Sequence, residues 1–379
     1  MNYVFAILGI GAIILIHELG HFIMAKVNGV KVLTFSIGFG PKILTHKGKE
    51  TEYTISLLPV GGYVEMYGMI EDEEETEDIE RKYISKSPLQ RLSITIAGSF
   101  MNIVLAIALF GSIYTTFGYS ETSLNKIVDS SPAMEAGIQP GDKITSVNGH
   151  KVYTTQDITL EMSYVESPII RDIKSEIDDQ AKDKGEDEKE NIRKSILEKY
   201  SNSEGNPMTI QYERNGQMME TTLKPKFSKE DGSFLLGIGF DHVENPSLMQ
   251  IIKHSTNETT SLITQNYRSI SRLVTGKGSF KTDVGGIVSM TQIVSDAAKA
   301  GIWNVINVVA IMSIGVGIFN LLPLPVLDGG NCILLLIELI TRRKVPDKIV
   351  NALNTIGVIF LVGLMLIVTI KDILFPING

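Results

Sequence analysis

Apolar residues gather in long runs near both ends of the chain and around position 100, and thin out over 120–245, where polar and apolar positions mix as in a water-exposed domain. A helix needs about 20 apolar residues to cross the roughly 30 Å hydrocarbon core of a bilayer. By that measure, spans are expected over 3–25, 91–117, 302–322 and 352–374. The first run lacks a basic leader and a small-residue cleavage site, so it reads as a retained helix and not as a signal peptide. The third is broken by LPLPVLDGG and followed by CILLLIELI. Such breaks are tolerated at membrane depth where the backbone is buried in protein or lines a cavity.

Between the first two runs, SIGFGPKIL and TEYTISLLPVGGYVEMYG alternate apolar residues with glycines, a pattern expected of β-hairpins near the membrane surface. The acidic run EDEEETEDIE (71–80) is expected to be a solvated loop. Residues 124–165 and 205–242 read as two parts of one soluble domain, the second with a hairpin turning at Asn215–Gly216. The charged stretch 166–204 between them has helix-forming composition and is expected to be a solvent-exposed helical insertion. Residues 247–275 read as an amphipathic, interfacial helix.

Composition narrows the class. With 379 residues the chain is long enough for two or three units. The net charge of −8 argues against a nucleic-acid partner. A single cysteine, Cys332, excludes an internal disulfide and Cys-rich zinc sites.

The chemistry is concentrated in HELGH, residues 17–21, inside the first span. Positions i and i+4 share a helix face, so His17 and His21 can bind one metal ion. Glu18 then reaches a metal-bound water as general base. Ionisable groups are disfavoured in lipid and suggest function by default. A catalytic zinc site takes three protein ligands and keeps a position for water. His46, His150, His242 and His254 lie outside the spans and read as surface residues. Asp328, in the broken third span, is the candidate third ligand, since a carboxylate at membrane depth needs a cation. Asn102 is polar at membrane depth, with structure and substrate contact both open as its role.

HELGH together with NLLPLPVLDGG resembles the site-2 protease family of intramembrane metalloproteases. GFGP (38–41), LPVGGYVEM (58–66) and SPAMEAGIQPGDKITSVNG extend the resemblance to its bacterial branch with an extracytoplasmic PDZ domain. The resemblance implies a metalloendopeptidase in which His17, His21 and Asp328 bind Zn2+ and Glu18 is the catalytic base. It implies that Asn320 holds substrate backbone or the developing oxyanion, and that Gly61, Gly62 and Asn102 are further substrate-binding candidates. The implied fold is a polytopic α-helical membrane protein of about four transmembrane helices, with a membrane-associated β-hairpin region and an extracytoplasmic PDZ-like α+β domain. The implied substrates are single-span membrane proteins, such as anti-sigma factors or signal-peptide remnants, cut in regulated intramembrane proteolysis. Departures are Asn331 where many relatives have histidine and Gly98–Ser99 where many have Gly-Pro.

The expected organisation is an N-terminal membrane core (1–118), a PDZ-like domain with its insertion (119–246), an amphipathic region (247–301) and a C-terminal membrane core (302–379). Lysines and arginines flank spans one and two on their connecting loop, and Arg342, Arg343, Lys344 and Lys348 lie between spans three and four. The positive-inside rule puts both connections in the cytoplasm of a bacterial cell, with both termini and the PDZ-like domain outside. The active site is expected toward the cytoplasmic side. A metal transporter is the rival class, but it leaves Glu18 and the PDZ-like domain without a role; a non-catalytic adaptor would lack a ligand or the base.

Overall fold

A computed structural model of the chain describes residues 2–69, 78–182, 184–201, 203–276 and 284–374. Most of the acidic run, residues 71–77, lies outside the described residues. The chain divides into two compact units, Met1–Ile113 with Leu262–Gly379, and Tyr114–Ser261.

The first unit is built on helices. These are α1 (Asn2–Val27), α2 (Pro88–Phe117, which runs on into the second unit), α7 (Ile287–Ala300), α8 (Ile302–Asn320), α9 (Asp328–Thr341) and α10 (Asp347–Leu374). Four stretches, Ile7–Val27, α2, α8 and α10, are long and apolar enough to cross a membrane. Helices apolar on every face suit lipid or a large interior, and α10 leaves Ile356, Ile359, Phe360 and Ile367 exposed. The bundle interior joins Ile13 of α1, Val294 of α7, and Val305 and Val309 of α8. Arg91 of α2 donates to Glu338 of α9 at 2.6 Å and, through Nε, to the Lys86 carbonyl at 3.1 Å. With both side chains largely buried, this pair ties α9 to α2. At the other end Asp372 of α10 accepts the N–H groups of Gly286 and Ser289 at 2.9 and 3.0 Å. It thereby satisfies donors that the first turn of α7 leaves unpaired.

The expected hairpin is more elaborate than two straight strands. β1 (Val32–Lys47) and β2 (Glu52–Met66) each bend midway, and the hairpin folds back on itself. Residues 34–37 pair with 62–65 on one side and with 52–55 on the other, and 52–55 also pair with 44–47. Four segments result, with 62–66 at one edge. The bends fall at GFGP and LPVG, where Gly38, Gly40 and Gly61 have positive φ. Val32 and Met66 anchor the sheet among Ala25 of α1, Val30 and Ile94 of α2.

The second unit contains a mixed-length sheet in the order β10-β3-β4-β6-β7, with β5 pairing β4. Its strands are β3 (Tyr119–Ile127), β4 (Lys143–Val147), β5 (His150–Lys151), β6 (Met208–Arg214), β7 (Gln217–Leu223) and β10 (Ile238–Val243). Asn215 and Gly216, both at positive φ, join β6 to β7, as a two-residue Asn-Gly hairpin requires. SPAMEAG forms the short helix α3 (Pro132–Glu135), with the Ser131 hydroxyl accepting from Met134 N–H at 3.3 Å. One core gathers Leu124, Ile144, Val147, Ile158, Met208 and Ile210.

The charged stretch is helical and shares an apolar cluster with a short hairpin further along the chain. α4 (Thr155–Ala181) begins inside the domain and runs into the stretch, and α5 (Glu186–Lys199) returns beside it. Ile173 and Ile196 pack on Phe227 and Phe234 of the β8 (Lys226–Ser228) and β9 (Ser233–Leu235) hairpin. α6 (Leu248–Val274) follows β10 and is amphipathic, as expected. One histidine departs from its expected surface position. His254 of α6 is buried, stacked on Tyr119 at 3.9 Å between ring centroids. An aromatic neighbour supplied by another element gave no periodic signal in sequence.

Asp142 and Arg214 form a two-bond ion pair in this unit, at 2.7 Å for both bonds, with the carboxylate buried. Burial alone would raise the Asp142 carboxyl, but hydrogen bonds from Arg214 and from Gln139 N–H hold it below the usual carboxylate range. An unfolded aspartate titrates near about 3.9. The contribution of the pair is therefore complete above that pH and is lost as pH falls through it toward the lower folded value. Arg214→Ala leaves a buried carboxylate unpaired and is expected to destabilise the unit by about 2–4 kcal/mol near neutrality. In thermal unfolding of the full chain in detergent, that penalty is expected to shrink below about pH 4.

Candidate active site

α1 presents His17 and His21 on one face, one turn apart, with ring centroids 4.8 Å apart. Their Nε2 atoms are 3.2 Å apart. Asp328, the first residue of α9, brings Oδ2 to 3.2 Å from His17 Nε2 and 3.4 Å from His21 Nε2. The three ligand atoms converge on one point from positions more than 300 residues apart in sequence. Among the described residues this is the group of His, Cys, Asp and Glu side chains arranged to hold a metal ion.

The loop between α8 and α9 makes the third ligand possible. It turns through Pro323 and Pro325 and places Val326 at φ 79°, an uncommon conformation for a β-branched residue. The loop folds tightly over the start of α9. A Cβ at Gly329 would lie 2.2 Å from the Leu322 carbonyl oxygen, and one at Gly330 would lie 2.3 Å from that of Leu324. The Asp-Gly-Gly sequence is thus what lets the chain double back and project Asp328 toward α1.

Neighbouring groups fix the imidazoles. His21 Nδ1 lies 2.8 Å from the Ile94 carbonyl, to which it donates, leaving Nε2 free as a ligand. The carbonyl belongs to α2, so the same helix orients the ring and packs against α1. Asn102, fully buried, places its amide 3.3 Å from His17 Nδ1. It stands behind the ring and does not line the cavity, so its position fits support of His17 better than contact with a substrate. Gly98 permits the close approach, since a Cβ there would lie 2.4 Å from His21 Nε2 and 2.8 Å from His17 Cε1.

The site opens into a cavity of about 500 Å³ lined by His17, Glu18, His21, Asn320, Asp328 and Asn331 on the helical side. Gly61, Gly62, Tyr63 and Val64 line it from the sheet, so the edge segment 62–66 borders the site. A Cβ at Gly62 would lie 3.0 Å from Glu18 Cγ, and Gly61 has φ 103° against the Phe39 ring. Asn320 ends α8 with Nδ2 3.4 Å from His17 Nε2. The sequence pattern did not point to Ile94, Phe39 or Tyr63, because a backbone carbonyl and aromatic wall residues carry no local signature of a site.

The donor set fits a divalent metal. Asp328 Oδ2 is buried, and among the described residues no donor is aligned on it although the two imidazole nitrogens lie at 3.2 and 3.4 Å. A set of two imidazoles and one carboxylate, with a position left open, is that of a catalytic zinc centre. A profile described as peptidase family M50 matches residues 5–364. The chain belongs to peptidase family M50. A Clostridium perfringens protein is 38% identical over 377 residues, covering 100% of both chains. One from Clostridium acetobutylicum is 41% identical, covering 100% of this chain and 98% of its own. Both carry the name "putative zinc metalloprotease". Family membership and four apolar helices identify this M50 chain as a multi-pass membrane protein.

Gly98→Val is expected to drive the imidazoles apart and reduce bound metal from about one ion per chain to near zero, without loss of helix content. Elemental analysis and circular dichroism of the purified variant check this.

Proposed function

We propose that the chain is an intramembrane zinc metalloendopeptidase that hydrolyses peptide bonds in or near the transmembrane segments of other membrane proteins. The observation that carries the reading is the meeting of HELGH and Asp328 within a set of four apolar helices. His17, His21 and Asp328 would hold the ion, with His21 oriented by the Ile94 carbonyl and His17 by Asn102. Zinc held there lowers the pKa of water and polarises a carbonyl.

Glu18 stands on the cavity wall next to the ligands. It takes the proton of the attacking water and returns it to the leaving amine nitrogen. Asn320, whose amide points to the same centre, donates to the substrate carbonyl oxygen as negative charge develops. A substrate helix hides its peptide bonds in its own hydrogen bonds, so it must unwind before cleavage. The segment 62–66, with Gly61 and Gly62 at its start, offers an extended edge for such a strand by β-augmentation. Close backbone approach there is helped by the absence of side chains at both glycines.

The proposed substrates are single-span proteins of the anti-sigma-factor or signal-peptide-remnant kind, cut in regulated intramembrane proteolysis. The unit Tyr114–Ser261 is read as the PDZ-like domain. On this reading it and both termini lie outside the cytoplasmic membrane of a bacterial cell, which the loop lysines and arginines support. The active site lies toward the cytoplasmic side. A metal-transport reading gives Glu18 and the bordering sheet edge no task.

The test is cleavage of single-span substrates by the purified protein in detergent, with and without a zinc chelator. Glu18→Gln is expected to lower the rate by about 10³-fold or more while metal content stays unchanged. Asp328→Ala is expected to lose the metal and the activity together. Cleavage that persists in Glu18→Gln, or in chelator, sinks the proposal.

A further inference from the structure

A second cavity, of about 440 Å³, lies within the unit Tyr114–Ser261. It opens where the central sheet splits. β3 is paired with β10 from Tyr119 to Ile127 but meets β4 at a single pair, Ser123 with Lys143. The edge of β4 that β3 leaves is taken by β5, through Ser146–Lys151 and Val147–His150, and by Val152 N–H on the Thr145 carbonyl at 2.9 Å. The first residues of β3 therefore diverge from β4. α6 walls the gap with Gln250, Lys253, His254 and Asn257.

The lining is cationic and its cations are unused. Lys143, Lys151 and Lys253 all border the cavity, and among the described residues none of them forms an ion pair. Lys151 lies over the Tyr153 ring at 4.8 Å, which leaves its three donors available. Two carboxylates, Glu121 and Glu213, share the wall; Glu213 lies across from Lys143 in the β4–β6 register, and among the described residues neither carboxylate forms an ion pair with a lysine. Burial pushes His254 down to about 4, so the ring is neutral near pH 7. The lining thus carries one net positive charge, from three lysines and two glutamates.

Chain connectivity ties one residue of this lining, Tyr119, to the end of α2. α2 has 30 residues, about 45 Å of helix, which matches the 40–45 Å of a bilayer with its headgroups. It ends at Phe117, and Tyr119 of the lining is two residues further on, within about 7 Å. Tyrosine and lysine are the residues that commonly face headgroups.

We propose that this cavity binds the phosphate of an anionic phospholipid headgroup, from the leaflet at which α2 ends. A phosphodiester carries the single negative charge that the lining lacks, and lysine ammonium groups bind phosphate as point charges. Tyr153, Gln250 and Asn257 offer further hydrogen bonds to the glycerol or headgroup hydroxyls. The inference requires that α2 cross a bilayer and is independent of the protease reading.

The test measures lipid retention on the full chain by native mass spectrometry, after reconstitution in phosphatidylglycerol or phosphatidylcholine. Each lysine near an anionic surface contributes roughly a fivefold factor. The triple variant Lys143→Gln, Lys151→Gln, Lys253→Gln is expected to lose phosphatidylglycerol affinity by about 100-fold. A charge-matched control, Lys174→Gln, Lys194→Gln, Lys224→Gln, is expected to keep it, and Glu213→Gln is expected to bind more tightly. Equal retention by the two triple variants overturns the proposal, as does equal retention of phosphatidylcholine and phosphatidylglycerol by the unmodified protein. Binding of inorganic phosphate or glycerol phosphate at these lysines, without preference for phosphatidylglycerol in bilayers, also overturns it, in favour of a soluble phosphate.

Discussion

Two imidazole nitrogens and a carboxylate oxygen lie within hydrogen-bonding distance of one another among apolar helices, and among the described residues no donor is aligned on the carboxylate oxygen. A buried anionic oxygen without an aligned donor is costly in a medium of low dielectric. A divalent cation removes that cost, and the framework is arranged to keep the three atoms together. Gly98 lets α2 approach the rings, the Ile94 carbonyl and Asn102 hold them in orientation, and the doubled-back loop projects Asp328. The Arg91–Glu338 pair then ties the helix that carries Asp328 to the helix that orients the histidines. Together these contacts hold the three atoms close enough to share one cation.

The folded-back hairpin answers a second constraint. A peptidase must approach backbone, and backbone is best met by backbone. By bending at its glycines, the hairpin turns two strands into four segments and leaves 62–66 as an edge along the cavity. An exposed edge invites pairing with another chain, a hazard in most proteins that the proposed cleavage of extended segments would turn to use. The glycines at the start of that edge do two jobs, giving the turn its positive φ and leaving room beside Glu18.

The unit that follows α2 shows how an added helix pair can be accommodated. α4 begins within the domain core and continues outward, and α5 returns along it over Phe227 and Phe234. The helix pair therefore packs on the β8–β9 hairpin, apart from the core of the central sheet. On another part of the same unit the divergence of β3 from β4 opens a polar space bordered by lysines and glutamates that form no ion pair with one another among the described residues. Such unpaired charge is retained at little cost where water or a ligand reaches it.

Sequence by itself determined the parts that repeat locally. Hydrophobic runs marked four helices of membrane-spanning length, since length and apolarity alone decide that property. The i, i+4 spacing of His17 and His21 placed both rings on one face, and Asn215–Gly216 called for a tight hairpin, because each depends only on backbone geometry near it. Tertiary structure decided what depends on distant segments. It gave Asp328 its place beside α1, showed His254 buried against Tyr119, set Asn102 behind His17, and doubled the hairpin into four segments. The splitting of the sheet and the gathering of Lys143, Lys151 and Lys253 belong to the same class. Periodicity reports which face of an element is apolar, but which elements meet, and which polar atoms they bring within a few ångströms, follows from packing across the whole chain.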